Sequence, residues 1–288
     1  MLKEIHILTI FYGKEHAKYL GETMLPSLVR SLDGIHRKVK TRQYIYCLPE
    51  DEMDVYRAEW EVNVDTGLLN VKNPRLELHK AIIRQIEISS RVGATIVFVQ
   101  ADHVYGFGLR GLLEKHNDKF VVCSHGRIRA SAFEDVKMFL GGSFTNKDFS
   151  IQNYTYWQHY MVTHGLNNPE KYWKANRNGD VIDVYFKEPA PVLFPADTKI
   201  IEIIQNKEYK GHTRDSAWGA FEAIDHEVVD YYYRTNGLYY CKDSNEFIWT
   251  EFTDDKEYVP TVPQVEGINA CWIDSAKFFR GIPYRVFL

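Results

Sequence analysis

The chain has 288 residues, a hydrophobic content of 45% and a charged content of 26%, values typical of a folded domain rather than a disordered segment. A formal net charge of −4 argues against a general electrostatic attraction to nucleic acid or to an anionic membrane. No apolar run approaches the ~18 residues of a membrane span, and no secretory apolar region follows the first residue, so we expect a cytoplasmic protein.

Strand and helix patterns alternate through the first half of the chain. Ile5 to Phe11 predicts a buried strand, Tyr12-Gly13 breaks it, and residues 14–32 have helical spacing that Pro26 should kink or divide. Further strands are predicted over 43–48, 62–71, 94–99 and 119–124, and further helices from residues 49, 74 and 109. This alternation predicts an α/β fold with a mostly parallel, Rossmann-like sheet and helices on its faces.

The regular alternation of strand and helix patterns ends in the second half of the chain. Helices are predicted over 132–140 and 151–164, and extended segments over 181–186, 191–195, 238–241 and 247–252. We therefore expect residues 131–288 to form a mixed α+β extension, packed on residues 1–130 as one compact unit. The four cysteines are far apart and form no CxxC pair, which favours buried small hydrophobic side chains over disulfides or zinc ligands: they are Cys47, Cys123, Cys241 and Cys271.

The stretch from Ala94 to Gly108 has the most informative pattern. Six uncharged apolar or β-branched residues end at the polar residues Gln100, Asp102 and His103. Ligands bind at the carboxyl ends of strands in open α/β sheets, and in an extended chain Gln100 and Asp102 share a face. Asp102 is therefore a candidate oxygen ligand for a divalent cation, with Gln100 as a weaker neutral neighbour. The alternative is that Asp102 only caps the following turn.

This arrangement resembles glycosyltransferases of the GT-A fold. The resemblance rests on the first strand with its aromatic-glycine turn, Ile5 to Gly13, and on Phe98-Val-Gln-Ala-Asp-His103 at the end of a hydrophobic strand. In that family a DxD motif binds the metal that bridges a nucleotide-sugar diphosphate. Here Gln100 replaces the first acid and Asp102 remains. The resemblance covers roughly residues 1–130 and implies sugar transfer from a nucleotide-sugar donor to an acceptor hydroxyl.

The resemblance also implies roles for individual residues. Thr9, Tyr12 and Gly13 would contact the base or ribose, and Asp102 would bind the diphosphate through Mn²⁺ or Mg²⁺. Lys80 and Arg84 would neutralise phosphates, the alternative being a solvated helix face. Arg127 and Arg129 would bind an acidic acceptor or phosphate.

In the second half, the resemblance implies an acceptor site, a general base and sometimes a histidine metal ligand. Asp215 and Asp225 are the candidate bases, since a carboxylate can deprotonate the attacking hydroxyl. His212 is the candidate metal ligand and Trp218 could stack on a sugar. Each has a structural alternative, such as a helix N-cap for Asp225.

The acceptor class stays open between a glycan, a lipid-linked sugar and a modified nucleic-acid base, the last not favoured by net charge. Two other functions compete with sugar transfer. One is a non-catalytic nucleotide- or carbohydrate-binding protein, favoured by the missing first acid. The other is a sugar nucleotidyltransferase, although Phe11-Tyr-Gly-Lys14 is a poor match to the glycine-rich basic loop of those enzymes.

Overall fold

A computed structural model describes residues 2–10, 13–51, 63–68, 74–123, 126–156, 173–186, 190–205, 226–253 and 282–288. Its strands are β1 Glu4–Ile10, β2 Lys40–Cys47, β3 Asn63–Leu68, β4 Thr95–Gln100, β5 His103–Tyr105, β6 Phe120–Cys123, β7 Gly126–Arg129, β8 Trp173–Asn178, β9 Val181–Phe186, β10 Ala190–Pro195, β11 Leu238–Tyr240, β12 Trp249–Thr253 and β13 Tyr284–Phe287. Its α-helices are α1 Lys14–Tyr19, α2 Leu25–Leu32, α3 Pro74–Val92, α4 Leu109–His116, α5 Phe133–Leu140, α6 Asn146–Tyr156, α7 Thr198–Gln205 and α8 His226–Arg234. A π-helix spans Leu20–Met24, and short 3₁₀ helices span Ile35–Arg37, Pro49–Asp51 and Ala130–Ala132.

The central element is a 7-stranded sheet of order β11-β6-β10-β4-β1-β2-β3. β1 pairs in parallel with β2 and β4, β2 with β3, and β11 with β6. Only β10 in this sheet runs against its neighbours, pairing antiparallel with both β4 and β6. The predicted α/β class with a mostly parallel sheet is therefore confirmed.

The strand order reverses at β1. From β1 the chain passes through α1 and α2 to β2 and β3 on one side, and α3 then brings it back to β4 on the other side of β1. At such a reversal, the loops that follow two neighbouring parallel strands run in opposite directions. A crevice therefore opens between them at the carboxyl ends of the two strands. In this chain we therefore expect the crevice beyond Ile10 and Gln100, which are register partners.

Two three-stranded sheets accompany the central one, with orders β5-β12-β7 and β13-β9-β8. β5 continues the chain just past the carboxyl end of β4, and β7 does the same past β6. The β5-β12-β7 sheet therefore extends the carboxyl edge of the central sheet. One of its faces contributes Val104, Ile128 and Phe252 to a second apolar cluster.

The main apolar core consists of side chains of the central sheet and its helices, and it includes fully buried Ile5, Leu8, Ile96 and Phe194. The second cluster is formed largely by α5, α6 and Tyr19 against the small sheet. Cys47, Cys123 and Cys241 are buried, in agreement with their predicted role as core side chains, and Cys271 lies outside the described residues.

Most predicted elements of the first half are confirmed. β1 to β4, β6, α3 and α4 all lie where the periodicity placed them. The predicted interruption near Pro26 is also confirmed, because α1 passes into the π-helix at Leu20 and α2 begins at Leu25 with Pro26 in its first turn. A proline lacks the N–H that an α-helix interior needs, and the first turn is where that loss is tolerated.

Several elements differ from the prediction. α6 begins at Asn146 rather than Ile151, because Thr145 and Asp148 exchange hydrogen bonds in the manner of a capping box. The segment Gly126–Arg129, for which no element was predicted, is the strand β7. Both β10 and β11 come from the second half of the chain but join the central sheet, with β10 between β4 and β6. The two predicted halves therefore share one sheet.

Candidate functional site

Gly13 lies at the carboxyl end of β1, on the wall of the crevice. Its φ of +87° is a conformation that side chains with a Cβ rarely adopt, which explains the glycine at this position. The Gly13 carbonyl accepts a hydrogen bond from the Ala17 amide at 3.1 Å, so α1 starts directly after this residue.

Asp102 lies on the opposite wall of the crevice. The chain turns at Ala101 and Asp102, immediately after β4 ends at Gln100, so the extended geometry assumed from the sequence stops there. Asp102 Oδ2 is 4.0 Å from Nε2 of His16, a residue of α1. A carboxylate and an imidazole from two different elements therefore meet at the crevice. Phe252 of β12 fixes the turn by donating its amide hydrogen to the Asp102 carbonyl at 2.9 Å.

His103 is buried behind the turn and its hydrogen bonds define its tautomer. The Gln100 backbone amide donates to His103 Nδ1 at 3.1 Å, so this nitrogen carries a lone pair. The Tyr105 hydroxyl lies 3.0 Å from the same nitrogen and must also donate. Burial raises the pKa of Tyr105 well above its ordinary value, and the Asp102 carboxylate adds to this shift. The phenol therefore stays protonated, and the neutral His103 ring carries its proton on Nε2.

Glu251 lies on β12, the central strand of the small sheet, between a residue of β5 and a residue of β7. It is in register with His103 on β5 and with Arg127 on β7. Residues in register on adjacent strands share a face, so the three side chains form one line across the sheet. We call His103, Glu251 and Arg127 the polar row. Glu251 Oε1 lies 2.5 Å from Arg127 Nε.

The Gln100 side chain contributes a further polar group at the end of β4. Within the part of the chain that is described, its Nε2 is buried and has no hydrogen-bond partner. Buried amide groups are almost always paired, and an unpaired one at a strand end calls for an explanation. Its place beside Ile10 puts this amide at the junction of β1 and β4, where the crevice begins.

Thr9, Lys80 and Arg84 were expected to bind the donor, and the structure shows the surroundings of each. Thr9 is fully buried and its hydroxyl accepts a 2.9 Å hydrogen bond from Gln43 Nε2, so the side chain links β1 to β2 instead of reaching a ligand. Lys80 and Arg84 are exposed on α3. Burial raises the pKa of Tyr46 to about 12, and the charge of Arg84 opposes this shift.

The two arginines predicted for the acceptor differ in their surroundings. Arg127 is partly buried in the polar row, whereas Arg129 is exposed at the end of β7. The remaining predicted residues lie outside the described part of the chain: Tyr12, His212, Asp215, Trp218 and Asp225. Of the predicted set, Gly13 follows β1, and Gln100 and Asp102 lie at the end of the neighbouring strand β4.

A metal ion at this site would have two candidate ligands among the described residues. Among them, no group of three or more His, Cys, Asp or Glu side chains is arranged to bind an ion. Asp102 and His16 supply two groups. Mg²⁺ commonly binds through one or two carboxylates together with substrate phosphates and waters, and carboxylates also suit Mn²⁺. The arrangement fits a metal carried by a diphosphate better than one held by these side chains alone.

Two residues of this region were not identified from the sequence. His16 had a recognisable signal, because it follows the first strand and its glycine turn, where crevice residues occur. Glu251 had a weaker signal, a charge inside the otherwise apolar run from Phe247 to Phe252. Its pairing with Arg127 could not be read from the sequence, because the two residues are far apart along the chain.

No protein-family model matches this chain, and a search of curated proteins gives no match. The case for a function therefore rests on the geometry of the crevice. In the described ranges, no helix is both long enough and apolar enough to cross a membrane.

Proposed function

We propose that this protein is a glycosyltransferase with a Rossmann-like fold of the GT-A type, using a nucleotide-sugar donor and an acceptor hydroxyl. The observation that carries the proposal is the contact between Asp102 and His16, beside the ends of β1 and β4, where the strand order reverses. That point is where α/β sheets bind nucleotides. The acceptor is a glycan, a lipid-linked sugar or a base in nucleic acid.

The proposed reaction exchanges one bond for another. The acceptor oxygen forms a bond to the anomeric carbon while the bond from that carbon to the diphosphate oxygen breaks. The nucleoside diphosphate leaves with the electron pair, and the hydroxyl proton passes to a base. Asp215 and Asp225 remain the candidates for that base. Catalysis of this kind depends on stabilising the charge that develops on the diphosphate.

Asp102 is the group expected to act on the diphosphate. A Mn²⁺ or Mg²⁺ ion, when bound, would supply positive charge to the leaving group. Asp102 would hold the ion, with His16 beside it at 4.0 Å. Gln100 would offer its buried amide to a ribose or base oxygen, which would satisfy the nitrogen that has no partner among the described residues.

A non-catalytic nucleotide-binding protein is the second candidate. It is favoured by Gln100, because an amide at the place of an acid weakens metal binding while keeping a hydrogen-bonding group. An experiment can distinguish a binding protein from a transferase, because of these two only the transferase releases nucleoside diphosphate from a bound nucleotide sugar.

The proposal is tested by thermal shift with nucleoside diphosphates and nucleotide sugars, with and without Mn²⁺. A ligand at about a hundred times its Kd should stabilise the fold by roughly 2.7 kcal/mol. Asp102→Asn should abolish the Mn²⁺-dependent part of this shift. Asp183→Asn is the matched control, because Asp183 pairs with Arg285 on the β8–β13 sheet. No stabilisation by any nucleotide in the unmodified protein would reject the proposal, and stabilisation without nucleoside diphosphate release would favour the binding protein.

A further inference from the structure

Two of the buried cysteines lie side by side in the central sheet. β11 pairs in parallel with β6, and the register ends at Tyr240 opposite Val122. The Cys241 amide donates to the Val122 carbonyl at 2.9 Å, which continues this ladder by one residue and sets Cys241 opposite Cys123. Partners in register point to the same face of a sheet. The two thiols are therefore neighbours, although they are far apart along the chain.

The sulfur atoms of this pair lie around one backbone oxygen. The Sγ atoms of Cys241 and Cys123 are 3.7 and 3.9 Å from the Phe247 carbonyl oxygen. Both side chains are fully buried in the main core. Burial raises the pKa of the Cys241 thiol well above its ordinary value, and a hydrogen bond with Cys123 raises this pKa further. The two thiols therefore contact each other as well as a shared acceptor.

The spacing of the two cysteines suits a covalent bond between them. Neighbouring strands lie about 4.8 Å apart, and disulfides join residues whose Cα atoms are about 4.4 to 6.8 Å apart. Because the two cysteines are register partners on neighbouring strands, their backbones already have a separation that a disulfide requires. A bond between the sulfur atoms therefore needs side-chain adjustment and no rearrangement of the sheet.

The acceptors of the two thiols keep other donors when the S–H groups are lost. The Tyr284 hydroxyl donates to the Phe247 carbonyl at 2.6 Å. The Cys241 sulfur also lies 3.7 Å from the Asp243 carbonyl oxygen, which accepts the Phe247 amide hydrogen at 3.2 Å. Thiols are weak donors, so the O–H and N–H groups are the principal partners of both oxygens. Oxidation of the pair thus leaves neither carbonyl without a hydrogen bond.

We propose that Cys123 and Cys241 are a redox-active pair that forms a reversible disulfide between β6 and β11. The oxidant is a disulfide of low molecular weight. The thiolate of one cysteine attacks this reagent, which forms a mixed disulfide and releases one reagent thiolate. The thiolate of the other cysteine then attacks the cysteine sulfur of the mixed disulfide and releases the second reagent thiolate. Two electrons pass to the reagent, and its two thiolates take up the two cysteine protons.

This inference is independent of the proposed function and concerns how the edge of the sheet is held. β11 has three residues and is the outermost strand of the described sheet, so its local opening gives a reagent access to the sulfur atoms. Phe247 lies two residues before β12, the strand whose Phe252 amide donates to the Asp102 carbonyl. The bond would therefore stabilise the connection from the central sheet to the small sheet beside the crevice.

The test uses the Cys47→Ala, Cys271→Ala double variant, in which Cys123 and Cys241 are the remaining cysteines. The reduced, folded protein is incubated with oxidised glutathione, alkylated and digested, and disulfide-linked peptides are identified by mass spectrometry. We expect a linked pair of peptides that contains both cysteines and is absent after treatment with dithiothreitol. The oxidised form should have a urea midpoint about 1 M higher than the reduced form, because the bond closes a long loop. The unmodified chain should give the same linked pair.

Cys241→Ala in the same background is the matched control, since it keeps Cys123 and removes its partner. This control should show no increase in the urea midpoint after treatment with oxidised glutathione. Glutathione adducts without the linked pair would overturn the proposal, as would a linked pair that forms only in urea. A linked form that unfolds at a lower urea concentration than the reduced form would also overturn it, because the folded sheet would then not accommodate the bond. The absence of any reaction in the folded protein would show that both cysteines are only core side chains.

Discussion

His6 shows how a single buried residue couples this fold to pH. Its ring is 1% exposed, and Gln85 Nε2 donates to His6 Nδ1 at 3.3 Å. The second ring nitrogen therefore carries the proton and donates to Glu4 Oε1 at 3.1 Å, while the Ser89 hydroxyl lies 2.7 Å from Nδ1. The neutral ring thus has a partner at each nitrogen. Ser89, His6 and Glu4 thus lie in line. Because Ser89 is fully buried, we interpret this arrangement as a structural network.

The pH dependence follows from two pKa shifts of the same sign. Burial lowers the pKa of His6 below 6.5, outweighing the opposing effect of Glu4. Burial raises the pKa of Glu4, but hydrogen bonds from Lys40 and His6 outweigh it and the net shift is downward from 4.5. In both cases the unfolded chain binds the proton more readily.

We therefore predict that the free energy of unfolding falls as the pH drops below 6.5 and falls further below 4.5. His6→Gln should flatten the first part of this dependence, measured by urea unfolding at a series of pH values. Ser90→Ala is the control, because the Ser90 hydroxyl donates to the Glu87 carbonyl at 2.9 Å instead of contacting His6. An unchanged slope in His6→Gln would show that another group causes the loss.

At the scale of elements, the junction between β5 and α4 depends on Gly108. Its φ is +122°, and a Cβ placed there would lie 1.9 Å from the Glu246 carbonyl oxygen. The obstruction is backbone, which cannot move aside as a side chain can. The sequence marked this segment as a turn, but the close approach of residue 246 exists only in the folded chain.

Gly108→Ala is predicted to destabilise the protein by about 3 kcal/mol, the combined effect of backbone strain and steric overlap. Gly111→Ala is the matched control, since a Cβ there meets no atom within 4 Å. In the interior of α4, alanine should instead stabilise by up to about 1 kcal/mol. The shift of the urea midpoint in opposite directions for the two variants would confirm the assignment, and similar midpoints would contradict it.

At the scale of the whole molecule, the central sheet joins distant parts of the chain. β10 separates β4 from β6, so the first half alone does not form a continuous sheet. Val97 of β4 and Val121 of β6 are both fully buried and both pair with Leu193. Removing β10 would leave two strand edges and their apolar side chains without their partner.

We predict that residues 1–130 expressed alone lack a cooperative unfolding transition, because β4 and β6 lose the strand between them. Near-UV circular dichroism and urea titration would detect this. Mixing the fragment with residues 131–288 should restore a transition if the two parts assemble. A cooperative transition in the isolated fragment would show that the first half is an independent domain.

The elements were largely predictable because their signals are local. Residues 109–116 and 181–186 could be assigned from spacing and apolar runs alone, since a helix or strand buries one face or both with a fixed period. The expectation that Asp102 lies at the end of a buried strand needed only the rule that ligands bind at the carboxyl ends of parallel strands.

The pairings between distant strands were not predictable in this way. Thr9 follows the pattern of a crevice residue, yet its hydroxyl points to Gln43 inside the sheet. The position of Glu251 between His103 and Arg127 is visible only in the folded chain, because both residues are far from Glu251 along the sequence. Register between non-adjacent segments depends on packing of the complete core, and no local period encodes it. Local chemistry thus determined which residues could serve a ligand, and tertiary pairing decided which of them meet.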